Sequence, residues 1–233
     1  MAKGSSGIGS TYVAKSVVTQ SGDTVELSVP LVYGGYDSAV NAKARAVMEA
    51  QEDKRLGAKS EYGLLTDEDG NPIAPEKHGS RNGIKFSENE MTSAKILTHN
   101  HPRGKNEEGV LGGTFSTDDL NTFSKLDNMT TIRASAAEGT YSMTKGKNFN
   151  KSEFNSYVKS VEKKHYSTYH KEHQALKERA RKEIAIGKMT SNQYISQAHG
   201  LFNNFLVNCH NDLIAGQKQY GYTYTLERRK KNG

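Results

Sequence analysis

Two histidines one residue apart, His99 and His101, close a short apolar stretch, Ile96-Leu97-Thr98. A loop that starts with Pro102-Arg103-Gly104 follows, and then Thr114-Phe115-Ser116-Thr117-Asp118-Asp119-Leu120 opens a helix with a serine and two acids. Alternate residues of a strand face the same way, so His99 and His101 aim two imidazoles at one point. Asp119, returned by the loop, adds a carboxylate oxygen. Two neutral imidazoles, one carboxylate and a water make a tetrahedral zinc site with an open position, the catalytic rather than the structural arrangement. Each part also has an ordinary reading. A single histidine at a strand end is usually a surface or hydrogen-bonded residue. Ser116 to Asp119 is also a capping box, with an acid where the helix dipole favours one.

His-x-His-Pro followed by Ser-x-x-Asp, with a glutamate upstream, resembles the JAMM/MPN+ (JAB-like) zinc metallopeptidases over roughly residues 58–145. The form His99-Asn100-His101-Pro102 is similar to the RadC-type branch and to JAB-like domains of phage and plasmid proteins. The resemblance implies Zn2+ held by His99, His101 and Asp119, with Asp119 preferred to Asp118 because it keeps the Ser-x-x-Asp spacing. It implies that Glu61, ahead of Tyr62-Gly63-Leu64-Leu65, is the proton acceptor, and that Ser116 donates to the water or to the reacting carbonyl oxygen. Competing acids are Glu26, which should face away from the core, Glu68, which sits in a turn, and Glu76. The activity implied is hydrolysis of an amide bond in a protein or peptide, ubiquitin-like substrates included. Isopeptide and ordinary peptide cleavage both stay open. One departure stands out: fourteen residues separate His101 from Ser116, more than the family usually has. The segment from Lys105 to Thr114 is Gly-rich and polar and is expected to be a surface insertion, a cheap kind of loop growth. Its stretch Lys105–Gly113 lies next to the site and would order over a substrate tail.

The fold class expected is α/β: a mixed, mostly antiparallel sheet flanked by helices, in JAB/MPN-like layers similar to those of cytidine deaminases, with a basic helical hairpin at the C-terminus. The 233 residues divide into a disordered tail at 1–10, a zinc domain at 11–150, a hairpin at 151–219 and a terminal strand with a basic tail at 220–233. A hydrophobic content of 34% and a mean hydropathy of −0.77 suit a modest core with long solvated helices. Cys209 is the one cysteine, which excludes an internal disulfide and zinc modules built on two or four thiolates. No apolar run approaches the ~20 residues that span a bilayer, and no signal-peptide pattern opens the chain. A cytoplasmic location, or one inside a phage particle, is the expectation.

The net charge of +6 is uneven: residues 151–233 hold 15 Lys/Arg and 7 Asp/Glu, or +8, leaving 17 and 19, or −2, for residues 1–150. A basic helical segment is a candidate surface for nucleic acid, although a solvated face is the commoner explanation. Two rival functions follow: a RadC-like nucleic-acid-associated protein, and a non-catalytic phage or virion component that keeps the fold.

Pattern and turn residues place the elements. Strands are expected at Tyr12–Val18 and Thr24–Val29, with Pro30 closing the second. A helix capped by Asp37 or Ser38 runs to about Leu56, with Val40, Ala44, Val47 and Met48 on one face and Gly57 at its end. Glu61–Leu65 is a strand, Asp67–Asn71 a turn, and weak strands fall near Ile73 and at Ile84–Phe86, before a short helix near 88–94. Lys95–Thr98 delivers the histidines, and Ser116 starts a helix to about Leu126. Strands at Thr130–Ala136 and Thr140–Met143 flank a Glu138-Gly139 turn. Helices at about Ser152–Ile186 and Asn192–Gln217 form an antiparallel pair, whose aromatic stripe must pack on the zinc domain or on a partner. Tyr220–Leu226 is the last strand. Its tyrosines fit an amphipathic strand better than a base-stacking platform. His165, His170, His173 and Glu172 on the long helix fit a solvated face better than a second metal cluster, and His199 and His210 fit partial core or surface positions.

Overall fold

A computed structural model describes residues 11–19, 22–102 and 109–228. The first ten residues, the basic residues after Arg228 and the Lys105–Glu108 part of the insertion lie outside the described residues. Strand β1 (Tyr12–Val18) and strand β2 (Thr24–Tyr33) form a hairpin. Its second strand does not stop at Pro30. The ladder pairs Ala14 with Leu31 and then Ser16 with Glu26, so Pro30 falls in the irregular stretch between, where its missing N–H breaks no rung. The Pro30 carbonyl instead accepts from Asn211 Nδ2 at 3.1 Å.

Helix α1 (Ala42–Lys54) begins later than expected. Its cap is Asn41, whose Oδ1 accepts from the Ala44 N–H at 2.8 Å, not Asp37 or Ser38. Asp37 is buried, and its carboxylate is occupied by the hydroxyls of Ser142, Thr144 and Thr223. Gly57, at φ +71°, leads the chain away from the helix, as its sequence position suggested.

Strands β3 (Tyr62–Thr66), β4 (Lys77–His78), β5 (Ile96–Asn100), β6 (Thr131–Ala136), β7 (Gly139–Lys145) and β8 (Tyr222–Glu227) make one sheet in the order β4-β3-β5-β6-β7-β8. Only the β5–β6 pair is parallel. A parallel pair needs a long crossover, supplied here by residues 101–130 with helix α3 (Thr117–Lys125). The strand expected at Ile84–Phe86 does not form. Those residues are irregular chain leading to helix α2 (Glu88–Ser93), while the β3 edge is covered by β4. Ile73 contributes a single rung, its N–H donating to the Leu65 carbonyl at 2.9 Å.

Helix α4 (Lys151–Ala185) and helix α5 (Ser191–Tyr220) are the antiparallel pair, within a residue or three of expectation. Thirty-five residues make α4 about 52 Å long. Alpha-helix α5 packs on β2 and β8, and α4 on α3. Gly221, at φ +72°, ends α5 in the left-handed conformation and turns the chain directly into β8. Tyr222 and Tyr224 on that strand are buried and edge against Phe154 and stack near Tyr141, so they offer no face to a base.

The sheet has two unlike faces. Leu97, Ile132, Ala134, Tyr141, Met143 and Leu226 point toward α3, α4 and α5, into one continuous apolar cluster that reaches from Val17 to Leu226. The alternate residues point toward α1 and are mostly polar, yet buried: Thr98, Arg133, Ser142, Thr225 and Glu227 among them. The molecule is thus mixed α/β, with a mostly antiparallel sheet and five helices among the described residues. No helix among them is long and apolar enough to cross a membrane.

Candidate metal centre

Strand β5 carries His99 on the apolar face, and His101 follows on the same side two residues on. The His101 N–H donates to the Ser135 carbonyl at 2.8 Å, which keeps the chain in strand geometry past the last paired residue. Their Nε2 atoms stand 3.2 Å apart. Asp119 sits at the third position of α3, with Oδ2 3.7 Å from His99 Nε2. One donor atom from each of the three lies within 4.8 Å of the others, and they are the one such His/Cys/Asp/Glu group among the described residues. Ligands at about 2.0–2.2 Å around a tetrahedral ion stand roughly 3.3–3.6 Å apart, so this donor set and its spacing fit a divalent cation.

Hydrogen bonds fix which nitrogens face the centre. His101 Nδ1 lies 3.2 Å from the Gly112 carbonyl and 3.0 Å from that of Gly113. Facing two acceptors, Nδ1 carries the proton, and Nε2 is left with a lone pair toward His99 and Asp119. His99 Nδ1 is buried and makes no well-formed hydrogen bond, although the Arg133 backbone helps to hold a proton on that ring. The titration directions agree with this arrangement. Burial works against the His99 cation, but the charge of Asp119 and then Glu61 outweigh it and raise the group above its ordinary value. Burial first, and the His99 charge second, push His101 down to about 4. Burial opposes the Asp119 carboxylate too, yet His99, His101 and Ser116 hold its carboxyl well below the usual range. A proton and a cation therefore compete for the same three donors.

Ser116 and Asp119 form the reciprocal capping box. The Asp119 N–H donates to Ser116 Oγ at 3.1 Å, while the Ser116 N–H and Oγ–H donate to Asp119 Oδ2 at 2.9 and 2.7 Å. The capping and ligand readings of Asp119 are compatible: the box aims the carboxylate out of the helix end toward His99.

Glu61 immediately precedes β3. Gly63 pairs with His99, so the antiparallel register continued by two puts Glu61 opposite His101 and on the same face. Its N–H donates to the Ser80 carbonyl and its carbonyl accepts from Gly79, both at 2.8 Å. Burial raises its carboxyl to about 7, with His99 pulling down and Asp119 pushing up. The rival acids are elsewhere. Glu26 and Glu68 are exposed, and Glu76 is paired with Arg55 and Lys54. Glu61, His99, His101, Ser116 and Asp119 all line one cavity of about 690 Å3, whose apolar lining includes Phe86, Val161, Phe205 and Leu206.

Two supports carry no motif. Asn100, between the histidines, points the other way and is buried. Its Oδ1 accepts from the Tyr62 N–H at 2.7 Å and its Nδ2 donates to the Ser60 carbonyl at 3.1 Å, clasping Glu61 from both sides. Glu138, read only as part of a turn, is buried beside the Gly112-Gly113 segment. The expectation of a solvated insertion fails at its described end: Val110 and Leu111 are buried, and Asn203 on α5 binds both the Leu111 N–H and the Gly109 carbonyl. Alternation around Asn100 was the available signal for the first support. The second had none, because its partners are about 25 residues away in sequence.

The other histidines do not make a second centre. His165 pairs with Asp212 across the hairpin at 2.8 Å. His173 stacks on Tyr169, and His170 lies beside Tyr166. His210 is fully buried between Tyr224 and the Val32 carbonyl. Comparison with models of protein families, with curated proteins and with solved structures finds no match.

Proposed function

We propose that the chain is a zinc-dependent peptidase or isopeptidase of the JAMM type, with the JAB-like fold, and that it hydrolyses an amide bond in a protein or peptide. The observation that carries this reading is the convergence of His99, His101 and Asp119 at one end of a cavity that also holds Glu61. His99, His101 and Asp119 would hold the ion. When bound, Zn2+ supplies Lewis acidity there, acidifying water and polarising a carbonyl.

The remaining work falls to side chains of the chain. Glu61 takes a proton from the attacking water and delivers it to the departing amine nitrogen as the C–N bond breaks. Water and amide are consumed, and acid and amine are formed, so the carboxylate ends as it began. In the metal-free chain burial raises the Glu61 carboxyl to about 7, and a cation held beside it would lower it, favouring the carboxylate that accepts the proton. Ser116 is proposed to donate to the carbonyl oxygen, a role that requires its hydroxyl hydrogen to leave Asp119 Oδ2. The apolar part of the cavity lining suits a substrate side chain flanking the bond.

Metal content of the wild type and of His99→Ala, with cleavage of ubiquitin-like and generic peptide substrates by wild type and Glu61→Gln, tests the reading. Stoichiometric zinc lost in the first variant and turnover lost in the second, with its zinc retained, are expected. Full turnover by Glu61→Gln, or a wild type that takes up no zinc, sinks it. A nucleic-acid role has one favouring observation: Lys159, Lys163, Lys164, Lys171 and Lys177 of α4 are all exposed. It predicts binding that weakens steeply with salt and survives zinc removal.

A further inference from the structure

Glu138 sits in the two-residue turn between β6 and β7 and is buried, with 4% of its surface exposed. Three donors converge on its side chain. The Gly113 N–H and the Tyr141 hydroxyl donate to Oε1 at 2.8 and 2.6 Å, and the Gly112 N–H donates to Oε2 at 2.9 Å. Its backbone carbonyl accepts from the Tyr33 hydroxyl at 3.1 Å. No salt-bridging cation is found beside the carboxylate among the described residues, so its charge is met by dipoles.

Those dipoles lead to the candidate metal centre. The N–H of Gly113 and the carbonyl of Gly112 belong to one peptide group and point in opposite directions. On one side that peptide donates to Glu138; on the other it accepts from His101 Nδ1. The Gly113 carbonyl is a second acceptor for the same Nδ1. A negative charge at one end of such a chain polarises the peptide and makes its carbonyl a better acceptor. The His101 ring is then oriented, its proton is fixed on Nδ1, and Nε2 gains basicity. In metal sites a carboxylate commonly does this by touching the histidine directly. Here a peptide group stands between them.

The glycines are required by that geometry. Gly113 has φ +79°, and a Cβ on it would lie 2.7 Å from Leu206 Cδ2. A Cβ on Gly112 would lie 2.7 Å from that of Ala136. With Asn203 holding Gly109 and Leu111, the whole described end of the insertion is clamped in place.

We infer that Glu138 is a positioning residue for His101, acting through the Gly112-Gly113 peptide to set the tautomer and ligand strength of that imidazole. The inference rests on the reading of His101 as a metal ligand. Glu138→Gln keeps the shape and removes the charge; Tyr141→Phe removes the third donor and leaves the glycine contacts. The first measurement is the 15N spectrum of the His101 ring in metal-free protein. The second is Zn2+ affinity by competition with a chelating dye, with circular dichroism as the check on folding.

Wild type is expected to carry the His101 proton on Nδ1. Glu138→Gln is expected to lose that preference and to bind Zn2+ about 10–100-fold more weakly, whereas Tyr141→Phe stays within about threefold of wild type on this account of the relay. A folded Glu138→Gln protein with unchanged affinity, or with an unchanged tautomer, overturns the inference. So does a metal-free wild type with its His101 proton on Nε2, a result that does not depend on any variant folding. Wild type that carries the proton on Nδ1 yet binds no Zn2+ would instead overturn the metal reading, with the tautomer of Glu138→Gln still deciding the role of the carboxylate.

Discussion

The two faces of the central sheet solve the same problem of burial in opposite ways. Toward α3, α4 and α5 the strands present aliphatic and aromatic side chains, whose contribution is undirected and scales with area. Toward α1 they present hydroxyls, Arg133 and Glu227, and the helix answers with Glu52 and Arg45. Arg133 donates to Glu52 Oε1 at 2.8 Å and to Glu227 Oε2 at 3.1 Å. Thr98 and Thr140 complete Glu52, and the Asp37 N–H and Arg45 complete Glu227. Such a network is highly directional, and each member is costly to leave alone. The metal-ligand candidates stand on the apolar face, but Asn100, which holds the Glu61 segment, stands on the polar one. Packing shelters the chemistry, and the network behind it fixes where the strands sit.

The largest expected difference between the faces comes from Arg133→Met. It leaves two carboxylates buried without their shared cation and should cost roughly 3–5 kcal/mol in urea unfolding. Replacing Glu52, Arg133, Glu227 and Arg45 together by apolar residues of similar volume should recover most of that loss, because neither the two carboxylates nor the arginines paired with them are then stranded. If Arg133→Met is no worse than an ordinary surface change, the polar face is not the directional network described above.

On the apolar side a pH-sensitive group away from the candidate metal centre is His210, which is fully buried. His210 Nε2–H donates to the Val32 carbonyl and the Tyr224 hydroxyl donates to Nδ1, both at 2.7 Å, while burial pushes the imidazole down to about 4. The unfolded chain protonates near 6.5, so it binds the extra proton first as pH falls. Stability is therefore unaffected above about pH 7, declines as pH falls from 6.5 toward 4, and levels off below the folded value. The full drop is on the order of 3 kcal/mol for this group. His210→Gln should flatten that part of the pH–stability curve. An equally steep decline in the variant would assign it to other groups.

Local pattern made much of this legible. Period-two alternation put His99 and His101 on one face, and the Ser116-to-Asp119 box marked a helix start whose Asp119 Oδ2 stands 3.7 Å from His99 Nε2. The 35-residue α4 was readable because its apolar stripe is long. Failures fall where a partner is distant. Asp37 looks like a helix cap until hydroxyls more than 100 residues away claim it. Alternation marks Thr130–Ala136 as a strand, but not that all six residues from Thr131 to Ala136 are buried, with α1 bringing the Glu52 carboxylate to Arg133. Glu138 and the buried Val110-Leu111 stretch likewise depend on contacts that no short window contains.

The smallest expected effect tests where the two faces meet. Asn100→Ala removes an amide that accepts from the Tyr62 N–H and donates to the Ser60 carbonyl, on either side of Glu61. One backbone donor and one acceptor lose their partners at a half-buried site, a loss of about 1–3 kcal/mol in stability. The candidate ligands themselves are untouched: His99 and His101 point to the opposite face, and Asp119 is fixed by its own capping box. If the proposed function holds, zinc affinity should stay close to wild type while kcat falls, since the proposed base is displaced and the candidate ligand set is not. Asn100→Asp retains the acceptor for Tyr62 and should recover part of the rate. A variant that loses zinc and turnover in parallel would mean that Asn100 supports the histidine strand as a whole, and the division of labour between the faces would have to be redrawn.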